Sequence, residues 1–367
     1  MTGTLLDAGI AFGRVAFVMA FVLNVAAILG WVERKQSAIM QDRIGANRAS
    51  IFGIRALGLF HPLADTLKML TKEDFRPARA DRLLFELAPF VSVFFSLVAF
   101  ASIPFGDTLT IGDRVVPLQA ITLNVGILYV FAMLSLGVYG VMMAGWSSSN
   151  NYALLGGQRA AALMISAEIA IGASIMGVVM IYGSLNLQDI VRAQGTLLLG
   201  WVPAWGIVTQ PLAFIIFLTA GIAATKRIPF DTPEGESEII GYFVEYSGMK
   251  FGMFLMTDMV ETTVLAGLCT SMFLGGWQVP FLLADGFHFP WGAVIAIPPI
   301  VVTLLQIGAF VSKVAAMIFV LMLIRWTLPR FRYDQAMRLG WMALFPLSIL
   351  NIVVTGAVLL LIGGKAS

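Results

Sequence analysis

Residues 160–182 read AAALMISAEIAIGASIMGVVMIY, twenty-three residues whose single charge is Glu168. A helix of about twenty apolar residues spans a hydrocarbon core of about 30 Å, so this run is long enough to cross a bilayer. Seven further runs of the same kind lie at 12–32, 84–104, 121–145, 204–224, 252–275, 293–324 and 341–362. With 59% hydrophobic and 12% charged residues, and a mean hydropathy of +0.89, the chain lies far from soluble composition. An all-α integral membrane protein with about eight transmembrane helices is expected, forming a single membrane domain over residues 1–367. The first run is too long for a signal peptide, lacks a small-residue cleavage pattern and ends at Glu33-Arg34-Lys35, so it is expected to stay as a helix.

The loops after the first, third, fifth and seventh runs hold 10, 1, 3 and 4 Lys or Arg, 18 in all. Four lie on the other side (Arg14, Arg114, Arg192 and Lys365), and Lys313 sits inside the seventh run. The positive-inside rule then puts the odd loops in the cytoplasm and both termini on the periplasmic side, as in a multi-pass protein of a bacterial inner membrane. The cytoplasmic loop 33–83 contains an apolar stripe, Phe60, Leu63, Leu67 and Leu70, beside Asp65, Lys68 and Lys72, the pattern of an interfacial amphipathic helix.

The net charge of +2, with basic residues dispersed by membrane side, gives no hint of nucleic-acid binding. Cys269 alone forms no internal disulfide, and with only His61 and His288 the chain supplies no Fe–S, bis-His haem or structural zinc ligation, so no bound metal or flavin is expected in it. No phosphate-binding loop, dinucleotide fingerprint or nucleophile elbow occurs. His61, beside Pro62, reads as a capping histidine. The 27 Phe and 19 Met would suit an isoprenoid cavity and equally an ordinary bundle.

Candidate chemistry concentrates in two places. The acidic cytoplasmic loop 225–251 carries Asp231, Glu234, Glu236, Glu238 and Glu245 within fifteen residues, close enough for mutual repulsion to raise some pKa values. Helix capping by Asp231 or Thr232, with Pro233 and Glu234 in the first turn, accounts for two of the five. Inside the membrane, Glu168 stands nine residues past Arg159, about 13 Å along its helix, too deep to reach the interface. Asp258 and Glu261 share a helix face, and Lys313 is the one cation embedded in its run. These groups either line a polar path or hold helices together, Lys313 pairing with an acid. Arg34 and Lys35 suit a helix C-terminus on structural grounds alone.

Several segments resemble one family of membrane subunits of respiratory complex I, the NADH dehydrogenase subunit 1 family. They are Glu33-Arg-Lys with Arg43-Ile-Gly-Ala-Asn-Arg48; His61-Pro-Leu-Ala-Asp-Thr-Leu-Lys68; Gly145-Trp146 with Tyr152-Ala-Leu-Leu-Gly156; Arg227 to Gly248; and Pro329-Arg-Phe-Arg-Tyr-Asp-Gln335, in order along the chain. The resemblance implies a tilted first helix and a quinone chamber shared with peripheral subunits and bordered here by Arg34, Lys35, Arg43, Asp65, Phe230 and Asp231. It also implies proton-coupling roles for Glu168, Glu234, Glu236, Glu238 and Asp258, and Glu261 and Lys313 join that set as further charges embedded in the apolar runs. Ubiquinone or menaquinone is the implied substrate, with Fe–S clusters and FMN in partner subunits and no activity in this chain alone. The implied partners are the peripheral Fe–S and quinone-site subunits, small membrane subunits, antiporter-like subunits and lipid. Ser135 and Ala224 stand where the family often carries acids, so the proton path must be rerouted or watered there; the stretch from Glu238 to Glu245 is a residue short and Ala46 replaces the usual proline, departures that bear on the shape of the chamber. Alternative readings are the matching subunit of a membrane-bound hydrogenase or ferredoxin-linked complex, a stand-alone secondary ion transporter, and a passive anchor.

Overall fold

The computed structural model describes residues 2–111, 114–198, 200–235, 238–283 and 285–363. Its helices are α1 (Thr2–Met40), α2 (His61–Thr71), α3 (Arg82–Ala99), α4 (Gly126–Ser147), α5 (Asn151–Tyr182), α6 (Leu187–Ala193), α7 (Gly206–Thr209), α8 (Pro211–Ala224), α9 (Gly248–Phe273), α10 (Pro299–Thr327), α11 (Tyr333–Leu339) and α12 (Phe345–Gly363). Among the described residues, seven helical stretches are long and apolar enough to cross a membrane, the last running through α11 and α12 by way of a π-helical turn at Gly340–Leu344.

The remaining expected run, 204–224, is divided. Pro211 has no N–H to donate and pushes the residue before it out of the helical region, so Gln210 adopts φ −140° and ψ 59° between α7 and α8. The 14 residues of α8 reach about 21 Å, and α7 supplies the rest of the span. Gln210 occupies the break with its own side chain: its Nε2 donates to Thr355 Oγ1 at 2.8 Å, and its Oε1 accepts from Asn351 Nδ2 at 2.8 Å. A broken helix at membrane depth is tolerated where neighbouring polar groups satisfy it in this way.

Two other expectations need correction. The seventh run was expected to begin as helix at 293, yet Val294–Ala296 form a strand and the helix starts at Pro299, where a proline fits the first turn. Short antiparallel strands occupy the three connections on the side poor in Lys and Arg: Thr108–Ile111 with Arg114–Pro117, Leu197–Leu198 with Val202–Pro203, and Leu282–Leu283, Gly286–His288 and Val294–Ala296 together.

The second correction concerns Lys313. It donates to the carbonyl oxygens of Leu274 (2.8 Å), Gly276 (3.0 Å) and Gln278 (2.6 Å), and its ammonium lies 4.3 Å from the centre of the Trp205 ring. It caps the negative end of α9, where exposed carbonyls attract a cation. The alternative in which Lys313 pairs with a buried acid is not seen among the described residues.

The axis of the bundle is α9. Every residue from Thr257 to Phe273 is buried, enclosed by α1, α3, α8 and α10. The layers α3–α4 and α4–α5 approach closely because small residues meet there: a Cβ on Gly140 would lie 2.7 Å from the Ser92 nitrogen, and one on Gly145 2.7 Å from the Ala153 carbonyl. Dispersion between close backbones is the main attraction available to helices in lipid. With 39 residues, α1 is about 58 Å long, nearly twice the hydrocarbon thickness, so it tilts or projects and carries Glu33 to Met40 toward the basic loops.

Candidate functional site

The 33–83 loop folds as the amphipathic pattern implies. Helix α2 runs from His61, whose Nδ1 lies 2.8 Å from the Gly58 carbonyl oxygen, and it turns Leu63, Leu67 and Leu70 outward. Its other face meets α1 and α9 across a groove of about 160 Å³. Small residues, Gly30 on α1 and Gly252 on α9, open this groove, and Met69, Met249, Met256 and Met259 line it. A Cβ on Gly252 would come within 2.5 Å of the Met69 sulfur. At its rim Arg34 Nη2 binds Asp65 Oδ2 at 2.6 Å. A flexible apolar wall with one ion pair at the mouth suits a ligand that joins a polar head to a hydrocarbon tail.

From the groove, charge continues inward. Met259 touches both the groove and Arg227, whose Nη2 lies 2.9 Å from its sulfur. Arg227 and Arg325 both donate to Glu33 Oε1. Beside them Lys226, with a fully buried side chain, places its Nζ 3.0 Å from Asp258 Oδ1 and 3.6 Å from Glu261 Oε2. These are ion-pair distances without hydrogen-bond alignment, so the ammonium hangs between two carboxylates. The Tyr242 ring centre lies 5.7 Å from it, and the buried Oε1 of Glu234 has no hydrogen-bond partner.

Burial works against the charge of Lys226, but the carboxylates of Asp258 and Glu261 outweigh it and hold the lysine well above its ordinary pKa. Burial drives Glu234 well above the usual carboxylate value, reinforced by the negative charge of Asp258 and opposed by Lys226. An isolated buried charge costs several kcal/mol, so such a cluster persists only because its members compensate one another.

Ser96 Oγ donates to Glu261 Oε1 at 3.2 Å. Beyond Glu261 lies a cavity of about 30 Å³ whose walls are mostly apolar and whose polar lining is Glu261, Thr225 and Glu168, roomier than the roughly 10–15 Å³ that one water centre requires. At its far side Ser135 Oγ donates to Glu168 Oε2 at 2.7 Å.

The other anticipated residues lie apart. Asp231 accepts from Arg330 Nη2 at 2.7 Å; burial raises its pKa to about 6 against the pull of that guanidinium. Neither Asp231 nor Thr232 caps a helix, because the segment folds into turns in which the Gly235 carbonyl receives Glu238, Ile239 and Ile240. Glu238 pairs with Arg159 at 2.8 Å and Glu245 accepts from Asn150 at 2.7 Å. Phe230 is buried against Phe331, away from the groove. Lys35 donates to the Ile44 carbonyl, and Arg43 is exposed beyond the end of α1. Glu236 lies outside the described residues. Sequence reasoning missed Lys226, Arg227 and Arg325 as site residues, since cations at the ends of apolar runs read first as topology signals, and it missed Glu33, the acid that Arg227 and Arg325 share.

The family described as NADH dehydrogenase matches residues 13–356. An NADH-quinone oxidoreductase subunit of Geobacter metallireducens is 46% identical over 362 residues, 98% of this chain and 100% of the relative. Its counterpart in Geobacter sulfurreducens is 46% identical over 363 residues, covering 99% and 100%. The counterpart in Thermomicrobium roseum is 44% identical over 349 residues, 94% of each chain. These names do not favour a hydrogenase, a ferredoxin-linked complex or a stand-alone transporter. The chain is a multi-pass membrane protein that belongs to the NADH dehydrogenase family of NADH-quinone oxidoreductase membrane subunits.

Proposed function

We propose that this chain forms part of the quinone site of an NADH-quinone oxidoreductase and couples quinone reduction to proton movement. One observation carries the reading: ionisable groups follow one another from the groove at Arg34 and Asp65, through Glu33, Arg227 and Lys226, to Asp258, Glu261 and Glu168. The names of the relatives supply the substrate class, and the apolar groove suits a quinone with an isoprenoid tail. Electrons arrive from Fe–S clusters of a peripheral subunit, with FMN further upstream. As quinone takes up electrons and protons, the local charge changes; Asp258, Glu261 and Glu168 pass the consequence toward antiporter-like subunits. Glu234 acts on Lys226 from the acidic loop, whose Asp231 and Glu238 pair with Arg330 and Arg159 nearer the cytoplasmic side. The protein sits in the inner membrane with both termini periplasmic.

The groove is tested by Gly252→Leu, which fills it against Met69. In the assembled complex the quinone KM rises about tenfold, equivalent to about 1.4 kcal/mol, while electron entry to an artificial hydrophilic acceptor is unchanged. An unchanged quinone KM, or equal loss of both activities, contradicts the assignment.

A further inference from the structure

We infer that Lys226 is a charge-shuttling positioning residue that alternates between Asp258 and Glu261, so that a proton taken up by one carboxylate expels a proton from the other into the cavity shared with Glu168. This deepens the coupling role proposed above and rests on it. Four observations meet at this point. The side chain is fully buried. Its ammonium is 3.0 Å from one acid and 3.6 Å from the other, aligned with neither. Glu261 lies between Lys226 and the cavity, and Glu168 stands across that cavity. Ala224 and Thr225 contribute no carboxylate there, so the adjoining Lys226 is the charged group that this end of α8 provides.

The proton ledger closes. In the resting arrangement Lys226 is ammonium, Asp258 carboxylate and Glu261 carboxylic acid, so the trio is neutral. A proton reaching Asp258 from the groove side cancels its attraction, and the ammonium moves the short distance to Glu261. That acid becomes the better-stabilised anion and releases its proton across the cavity to Glu168. The return of Lys226 to Asp258 then reloads Glu261 with the proton that Asp258 had taken up, one proton in and one out, and Lys226 remains protonated throughout. The raised pKa of Lys226 suits a cation that moves without discharging. Tyr242 and Glu234 are the other ionisable groups acting on Lys226, and burial raises the pKa of both, which favours their neutral forms.

A static counter-ion would need only its charge, and this separates the two roles. Lys226→Arg keeps the charge, but its planar fork engages both carboxylates at once and does not alternate. Glu261→Gln keeps the shape and removes the second partner. In proteoliposomes holding the assembled complex, with NADH and a short-chain quinone, both variants are expected to lose at least about tenfold of quinone-linked pumping, about 1.4 kcal/mol. Infrared difference spectra of wild type on quinone reduction are expected to show one carboxylic-acid band gained and one lost, the lost band missing in Glu261→Gln. Normal pumping in either variant, alongside defective Asp258→Asn and Glu168→Gln, overturns the shuttle while leaving the coupling role intact. Normal pumping in all four overturns both. If Lys226→Arg does not assemble, Glu261→Gln and the wild-type bands decide: normal pumping, or no paired bands, overturns the shuttle.

Discussion

The Lys313 ammonium donates 2.6 Å to the carbonyl oxygen of Gln278, and this contact belongs to the end of α9 remote from Lys226 and Asp258. The two lysine sites are therefore distinct. One faces carboxylates, and the other ties together the C-cap of α9 and the loop that follows it. Lys313→Met leaves three carbonyls without their donor, a loss of about 2–4 kcal/mol. The expected outcome is a lower yield of assembled complex and earlier thermal unfolding, with normal quinone-reductase activity per mole of complex that does assemble. Reduced specific activity in fully assembled material contradicts a capping role.

Asp231 gives a pH signature. Its pKa rises from 3.8 unfolded to about 6 in the fold. The native state thus binds this proton more tightly, and the associated stability is full below 3.8 and lost as pH rises through about 6. Asp231→Asn keeps an acceptor for Arg330 and removes that loss, worth about 2–3 kcal/mol above the window. Thermal unfolding of the complex followed across this pH range is expected to be flatter in the variant. An identical slope in both proteins removes Asp231 as the cause.

Orientation is independent of the proton path. Asp74 lies in the first basic loop, and Asp285 lies exposed in the strand-bearing connection before α10. Single cysteines there are expected to react with an impermeant reagent from opposite sides of intact membranes, Asp74→Cys from the cytoplasmic side. Reaction of Asp285→Cys from that side reverses the topology.

Much of the bundle was legible because bilayer thickness sets a length, and runs of about twenty apolar residues have few alternatives. The break at Gln210 was marked only by Pro211, inside a run whose hydrophobicity hid it. The strands were too short for alternation to register. In the site, Asp258, Glu261 and Glu168 announced themselves by the cost of burying an acid. Lys226 did not, because a lysine directly after an apolar helix ordinarily reaches the interface; only the packing of Asp258, Glu261 and Tyr242 around it shows that it does not. Ser135 read as a missing acid, yet its hydroxyl proton is directed at Glu168, so the position keeps a polar role without a charge.

If buried acids between the groove and Glu168 couple quinone reduction to proton movement, the rates of quinone-linked turnover and of proton pumping, measured side by side, both respond to Glu168→Gln and to Asp258→Asn. Each amide keeps shape and hydrogen bonding while removing the titrating site. Measured in proteoliposomes per mole of assembled complex, quinone-linked turnover and pumping are expected to fall together by at least about tenfold in both variants, about 1.4 kcal/mol, with electron entry to an artificial acceptor preserved. Wild-type turnover with a wild-type ratio of protons to electrons in both variants would contradict the account.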